Sequence, residues 1–249
     1  MYNIRQEQIK QYVENKNVVT IKELQALFPN VSLMTIHRDL DALEKDGTLV
    51  KFRGGAKSVR HSNDPEFNVR MHENNPGKMS IAHKAMELIQ PHSAIFLDAS
   101  TTNLALAKNL PDISLNIFTT GPSIALELCR LHNPVVTLCC GTINRKNLAL
   151  SGQNTLQMLE NINIDMAFIG VSGCSLEAGF TCGTEGDMLV KRLVISKART
   201  SVIMCGADKF NCLMPYTFAK LEDVDYLVTD GMLPENFRDA AEAAGVTIL

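Results

Sequence analysis

The chain lacks the sequence features of membrane-spanning, secreted and zinc-stabilised proteins. No apolar run approaches the roughly 20 residues that cross a bilayer, and no N-terminal segment resembles a signal peptide. The seven cysteines all follow residue 128, and their odd number argues against a disulfide framework. No C-x-x-C spacing occurs, so a zinc site is not indicated either. We therefore expect a cytoplasmic protein that needs neither a metal nor a cofactor.

The chain also lacks internal repeats, low-complexity tracts and a large excess charge of either sign. Its 249 residues carry a formal net charge of -3. Residues 1–60 nevertheless hold ten Lys and Arg against seven Asp and Glu, whereas residues 61–249 hold 14 against 20. Only the front of the chain suits nucleic acid. Because that surplus is modest, it favours oligomeric, multivalent contact over one strongly basic arm.

Helical patterns in the first fifty residues predict three short helices. The first has an apolar stripe made of Ile4, Ile9, Tyr12 and Val13. Thr20 and Glu23 form a capping box that begins the second helix, which Pro29 and Asn30 stop after Phe28. Ser32 is a good N-cap for the third helix. The apolar stripe of this third helix comprises Ile36, Leu40 and Leu43.

The opposite face of the third helix carries side chains that can contact base pairs. Arg38 can bind guanine O6 and N7 with two hydrogen bonds or neutralise a phosphate, and both uses need an exposed side chain. The neighbouring candidates for DNA contact are Ser32, Met34, Thr35 and His37. The alternative is a three-helix bundle in which this face is only solvated surface.

A basic hairpin is predicted directly after the third helix. Gly47 is a suitable C-cap, and the alternation from Thr48 to Arg53 predicts a two-stranded wing. Gly54 and Gly55 would allow a tight backbone path next to a phosphate. A winged helix-turn-helix places its later helix in the major groove. The candidate DNA contacts added here are Thr20, Lys51, Arg53, Gly54 and Gly55.

Two motifs in this region resemble the DeoR-type family of bacterial regulators of sugar metabolism. T-I-H-R-D-L-D-A-L-E-K-D-G at 35–47 resembles the family's recognition helix, which carries T-I-R-R-D-L, and F-R-G-G-A at 52–56 resembles its wing, which ends in H-G-G-A. His37 stands where the family usually has a second Arg, and Arg53 stands where it usually has His. The resemblance implies a transcriptional regulator whose partner is double-stranded operator DNA.

The remaining residues predict a second, larger domain of the α/β class. We place the DNA-binding domain at 1–57, a linker at 58–78 and the second domain at 79–249. Near-continuous apolar runs separated by helical stretches predict a mostly parallel sheet covered on both faces, an α/β sandwich. The seven runs lie at 94–98, 115–119, 135–139, 166–170, 201–205, 226–230 and 246–249.

The first of these runs ends in a candidate phosphate-binding turn. D-A-S-T-T at 98–102 follows the run and opens a helix to Asn109, so hydroxyl groups and free backbone N–H groups converge. An alternative is that Ser100 or Thr101 only caps that helix.

The family resemblance continues through the second domain. The sensor half of DeoR-type regulators has D-S-G-T-T-T at this turn and resembles ribose 5-phosphate isomerase in fold; further similar motifs are I-G-V-S-G at 169–173, V-K-R at 190–192 and D-K-F at 208–210. Ser172 stands where the family has an acidic residue that would bond sugar hydroxyls. The resemblance implies effector binding by Asp98, Ser100, Thr101, Thr102, Thr119, Gly141, Gly152, Gly170, Lys191 and Lys209.

Several of these candidates have ordinary structural alternatives. Lys191 could be a solvated lysine on a helix from Thr184 to Ala198, whereas Lys209 follows a strand end and is the favoured cation. Glu185 and Asp187 could serve as the general base of an isomerase, although helix capping explains Asp187 equally well.

Two classes of function remain, and the first is favoured. The first is a repressor of carbohydrate uptake or catabolism genes that is relieved by a phosphorylated sugar and acts as a dimer or higher homo-oligomer. The second is a phosphosugar isomerase or transferase with an accessory winged helix. An enzyme has no need of an exposed Arg38 beside a basic wing, so no catalytic residue is predicted. A winged helix that binds protein partners is disfavoured by Arg38, Lys51 and Arg53.

Overall fold

The computed structural model contains two compact units, residues 1–63 and 64–249. It describes residues 4–16, 18–46, 48–52, 54–58, 66–231 and 233–249. Gly47 and Arg53, predicted as a helix cap and a DNA contact, lie outside the described residues. Among the described residues, no helix combines the length and apolar character required to traverse a membrane.

The first unit is a winged helix-turn-helix, as predicted. Its elements are α1 (Ile4–Lys16), β1 (Val18–Thr20), α2 (Ile21–Leu27), α3 (Leu33–Lys45), β2 (Leu49–Phe52) and β3 (Gly55–Ser58). The wing has three strands in the order β1-β3-β2, because the segment before α2 also joins it. The first helical stripe was partly wrong, since Ile9 and Val13 are buried but Ile4 is 83% exposed.

The second unit is built on a seven-stranded parallel sheet. Its first elements are α4 (Phe67–His72), α5 (Asn75–Met86), β4 (Ala94–Leu97), α6 (Thr101–Asn109), β5 (Asn116–Thr119), α7 (Pro122–Leu128), β6 (Val135–Leu138), β7 (Thr142–Ile143), β8 (Leu150–Ser151) and α8 (Gln153–Glu160). The remainder are β9 (Ile164–Gly170), β10 (Gly173–Ser175), β11 (Gly179–Cys182), α9 (Glu185–Lys197), β12 (Ala198–Cys205), β13 (Tyr216–Ala219), β14 (Tyr226–Thr229), α10 (Glu235–Ala243) and β15 (Thr247–Ile248).

All seven apolar runs predicted as strands lie in this sheet, whose order is β15-β14-β12-β9-β4-β5-β6. Every neighbouring pair in it is parallel. Residues of one strand alternate between two cores, so that Ile95 and Leu97 pack with α5, α6 and α7 while Phe96 packs with α8, α9 and α10. Burial on both faces explains why these strands are almost wholly apolar.

The predicted linker is shorter than the sequence suggested. Residues 67–72 form α4, and α5 already begins at Asn75. Phe67 is buried in the core beneath α5 and α6, so this segment packs as part of the second unit. The sequence did not reveal α4 because the segment has few apolar residues, yet one buried Phe can anchor a helix of six residues.

Gly55 is required by packing within the wing, whereas the sequence suggested a close approach to phosphate. A Cβ at this position would lie 2.2 Å from the carbonyl oxygen of Val19 on the paired strand. Gly54, at φ +104°, supplies the left-handed turn between β2 and β3.

Gly55→Ala is expected to destabilise the first unit by about 2 to 3 kcal/mol, because backbone atoms cannot move aside as a flexible side chain can. Urea unfolding followed by circular dichroism measures the loss. Lys45→Ala, an exposed change on α3, is the control and should shift the transition little. Equal stability of Gly55→Ala and the parent would contradict this account of the wing.

Candidate nucleic-acid interface and anion site

The α3 helix presents one buried face and one exposed face. Ile36, Leu40 and Leu43 are fully buried in the core of the first unit. Ser32 caps the helix, since its Oγ accepts the N–H of Thr35 at 3.2 Å. These contacts fix the direction in which the other face points. On that face Arg38 is exposed and Met34 is 71% exposed, while Thr35 and His37 are half-buried.

Asp39 holds α3 against α1, a contact that the sequence patterns did not reveal. This carboxylate is only 4% exposed. It accepts the Nε of Arg5 at 2.5 Å and the Nε2 of Gln6 at 3.1 Å. The hydrogen bond to Asp39, and to a lesser extent its charge, raises the pKa of Arg5. Because Asp39 directly follows Arg38, the same ion pair fixes the part of α3 that displays Arg38.

The wing residues have partners of their own in the first unit. Lys51 forms an ion pair with Asp41 of α3, and its backbone N–H donates to Glu44 at 2.7 Å. The wing is therefore tied to α3, and Lys51 would have to exchange Asp41 for a phosphate. Thr20 caps α2 with Glu23, whose pKa falls to about 2, mainly because the Thr20 backbone N–H and Lys16 donate to it.

At the carboxyl ends of β4 and β9 a buried ion cluster joins three elements. The Lys191 ammonium on α9 lies 3.3 Å from Asp98 and 3.0 Å from Asp187, and donates to the Gly170 carbonyl at 2.9 Å. Lys191 is only 4% exposed, so the alternative of a solvated lysine was wrong. Burial acts to lower the pKa of Lys191, but the attraction of Asp187 and Asp98 outweighs it, and the pKa is raised.

Asp98 is the organising acceptor of this cluster. One of its oxygens accepts the Ser100 N–H at 3.0 Å and the Asn103 amide at 2.7 Å, and the other accepts the Gly170 N–H at 2.9 Å. The carboxylate is thus fully committed to structure. An ammonium has three N–H groups, and Lys191 already has three acceptors, so it has none left for a phosphate.

Two adjoining clefts open beside this cluster and share Arg70, Ser100 and Val171. The first, which we call the polar cleft, is lined at its floor by Asp98, Gly170 and Lys191. Its walls are formed by Arg70, Ala99, Ser100, Asn147, Ala149, Val171, Ser172 and Asp187.

The second cleft, which we call the anion cleft, lies at the N-terminus of α6. It is lined by three hydroxyl residues, three cations and two carboxylates, together with Asn74 and Val171; the first three groups are Ser100, Thr101 and Thr102, then Arg70, Lys78 and Lys209, then Glu73 and Asp208. Ser100 does cap α6, since its Oγ accepts the Asn103 N–H at 3.1 Å. The earlier N–H groups of α6 are not used by this bond and lie at the cleft. The cations and the helix dipole there favour an anion.

The surroundings of Lys78 in the anion cleft disfavour its charged form. Burial, and then the like charge of Lys209, lower the pKa of Lys78 to about 8. Asp208 and Glu73 oppose this shift, and Arg70 adds to it. Lys209 pairs with Asp208 at 2.8 Å. An anion here would relieve the repulsion between Lys78 and Lys209.

Other predicted effector residues lie away from these clefts. Thr119 is buried at the end of β5, where its hydroxyl accepts the Gly121 N–H. Gly141, at φ +147°, packs where a Cβ would meet the Thr155 hydroxyl, and Gly152 precedes α8. None of the three is among the residues that line the polar or anion cleft. Glu185 is exposed and likewise does not line either cleft.

Sequence reasoning missed two cations, Arg70 and Lys78. Both fall in the segment that was interpreted as a linker, so their charges were not considered. A Pro at the start of α5, after Asn74, was the signal that could have revealed a helix there. Among the described residues, no cluster of His, Cys, Asp and Glu is arranged to hold a metal.

Comparison with protein families matches both units. Residues 5–62 match the DeoR-like helix-turn-helix domain, and residues 73–231 match the DeoR C terminal sensor domain. The chain is 33% identical to the HTH-type transcriptional regulator GlpR of Haloferax volcanii, over 88% of this chain and 86% of that protein.

Two further relatives cover almost the whole chain. The uncharacterized HTH-type transcriptional regulator YgbI of Escherichia coli K12 is 34% identical over 98% of this chain and 96% of its own length. The HTH-type transcriptional repressor GlcR of Bacillus subtilis is 29% identical over 97% of this chain and 93% of its own length. Among solved structures, ribose 5-phosphate isomerase A of Neisseria gonorrhoeae is similar in fold over 53% of this chain and 52% of its own chain, with 18% identity and a TM-score of 0.40.

Lys191→Met is expected to lower the free energy of unfolding by about 3 to 5 kcal/mol, because it leaves Asp98 and Asp187 without their buried countercharge. Urea titration measures the loss. Lys108→Met, an exposed lysine on α6, is the matched control and should change stability by less than about 1 kcal/mol. Similar unfolding midpoints for the two variants would show that the cluster is not structural.

Proposed function

The chain belongs to the DeoR family of helix-turn-helix transcriptional regulators, and on that premise we propose that it represses genes of carbohydrate uptake or catabolism until a phosphorylated sugar binds its second unit. DNA-binding transcriptional regulation follows from the family itself. The observation that carries the finer proposal is the anion cleft at the N-terminus of α6, where three cations outnumber the carboxylates of Glu73 and Asp208 and three hydroxyl residues join them.

The exposed face of α3 supports its use as the reading helix. Arg38 and Met34 are one turn apart, which places both side chains on the same face. An Arg side chain can recognise guanine, and an apolar side chain can contact the thymine methyl group. Both contacts require side chains on an exposed helix face. Lys51 and the Gly54 turn would then lie beside the phosphate backbone, with Arg38 supplying base recognition.

The pair of clefts supports a sugar phosphate as effector. The anion cleft offers charge and N–H groups to a phosphate, and Lys209, the favoured cation, lines it. The polar cleft offers neutral donors and acceptors, Asn147 and Ser172, that suit sugar hydroxyls. Ser172 in place of a carboxylate implies either a sugar that differs from those bound by relatives with the acidic residue or a weaker site.

The arrangement argues against the alternative of a phosphosugar isomerase. An isomerase needs a carboxylate that is free to take a proton from the substrate. Asp98 and Asp187 line the polar cleft, but both are paired with Lys191, and Glu185 does not line it. We therefore propose that the cleft binds without turnover. The repressor GlcR supports the negative sign of regulation.

We propose that the protein acts as at least a dimer joined through its second unit. The basic surplus of residues 1–60 is small, so one reading head would bind weakly, whereas two heads on a symmetric operator bind with high effective concentration. Sedimentation at working concentration tests this, and a monomer with full operator affinity would contradict it.

Arg38→Ala is expected to weaken binding to duplexes that the parent selects from a random library by about 1 to 3 kcal/mol per lost base contact. Its melting temperature should stay close to that of the parent, because the side chain is exposed. Fluorescence anisotropy measures the affinity. Lys45→Ala, also exposed on α3 but in its last turn, is the control. Unchanged affinity of Arg38→Ala would remove α3 as the reading helix.

Sulfate binding to the anion cleft is expected to weaken by up to about tenfold between pH 7 and pH 9, because Lys78, with a pKa of about 8, loses its proton. Sulfate keeps its own charge over this range, so the change reports the protein. Calorimetric titration measures it. Lys78→Arg should bind sulfate with little pH dependence, since a guanidinium stays charged. A parent affinity that is flat with pH would exclude Lys78 from the anion cleft.

A further inference from the structure

The helix α4 is attached to the walls of both clefts. At its start, the Phe67 N–H donates to the Lys146 carbonyl at 2.8 Å, and the Phe67 ring is buried in the core. Asn147, the next residue after Lys146, lines the polar cleft. Arg70, at the middle of α4, lines both clefts. A change in either cleft therefore reaches α4 directly.

The end of α4 is held by Lys78, the cation of the anion cleft. Its ammonium donates to the carbonyls of Arg70 and Glu73, at 2.7 Å in the second case. The last carbonyls of a helix have no partner within the helix, so a cation that bonds them stabilises that end. Lys78 thus has two uses that compete: it caps α4, and it faces the place where an anion would bind.

A bound phosphate is the stronger partner of the two. Lys78 is a charged donor to either partner, but a phosphate adds the attraction of a full opposite charge, which a neutral carbonyl lacks. Lys78 also gains from an anion because burial and Lys209 disfavour its charge in the empty cleft. The ammonium should therefore turn from the carbonyls of α4 toward the phosphate.

We propose that α4 is a latch that effector binding releases: a phosphate in the anion cleft draws Lys78 away from the Arg70 and Glu73 carbonyls and so loosens the end of α4. This inference rests on the proposed function of the cleft. The helix begins at Phe67, and residues 59–66 connect it to β3 of the wing. The chain passes through α4 directly before it enters the effector clefts, so α4 is the covalent route from the effector to the DNA-binding unit.

The test is amide hydrogen exchange of the full chain with and without inorganic phosphate, with binding followed by calorimetry in the same buffer. Saturating phosphate should speed exchange of the amides of residues 70–73 by about tenfold, because that end loses its cap. Amides of α7, which does not line the clefts, should be unchanged. Glycerol phosphate in a parallel arm shows whether a phosphate ester acts as free phosphate does.

Two variants separate the latch from general loosening. Lys78→Met should exchange at residues 70–73 as fast without phosphate as the parent does with it, while α7 keeps the parent's protection. Val69→Ala removes an exposed apolar side chain from the same helix and should behave as the parent.

Each outcome decides between the inference and its premise. Phosphate that binds by calorimetry yet leaves exchange in α4 unchanged overturns the latch and leaves the proposed anion site standing. Absence of any phosphate binding overturns the proposed site and the latch with it. The latch is supported if phosphate accelerates exchange at residues 70–73 alone and if phosphate causes no further acceleration in Lys78→Met.

Discussion

The buried ion cluster around Lys191 is the constraint on which the proposed effector site depends. One ammonium bonds the end of β4 through Asp98, the end of β9 through the Gly170 carbonyl and its own helix through Asp187. The ammonium also lies over the Phe218 ring, 5.0 Å from the ring centre. Two carboxylates and one cation leave a net negative charge in the cluster, which disfavours a further anion there. The charges that hold the strand ends together thus support the proposed placement of a phosphate in the neighbouring anion cleft.

The two units use charge in opposite ways. In the second unit the decisive charges are buried and paired, so salt screens them little. On α3 the charge with the proposed reading role, Arg38, is exposed. The ion pair of Asp39, which is buried, with Arg5, which is partly exposed, sets the direction of α3. Buried charges thus hold the geometry of both units, and contact with DNA is proposed for an exposed one.

The sequence predicted elements that depend on local pattern and missed those that depend on distant partners. All seven strands of the main sheet follow from apolar runs, and the caps at Thr20, Ser32 and Ser100 follow from short-range chemistry. The burial of Lys191 could not be predicted, because its acceptor Asp98 lies 93 positions earlier in the chain. The same holds for Lys51, which contacts α3 only after the wing folds back. Arg70 escaped notice because a single buried side chain, Phe67, anchors the short helix α4. Lys78 was missed because it lies in the first turn of α5, ahead of the buried Ile81, Ala82 and Ala85.

The strand order of the main sheet has a consequence for how the chain folds during synthesis. β4 lies between β5 and β9, so the edge of β4 that pairs with β9 stays unpaired until residue 170 has been made. One edge of β9 likewise stays unpaired until β12 has been made. Parallel pairing across such sequence separations is slow, because long loops must close before any contact forms. The wing, by contrast, is complete within the first 58 residues, so all its strand pairs can form once that part of the chain has been made. The DNA-reading unit can therefore fold on the ribosome before the unit that controls it exists, and only the finished chain is subject to that control.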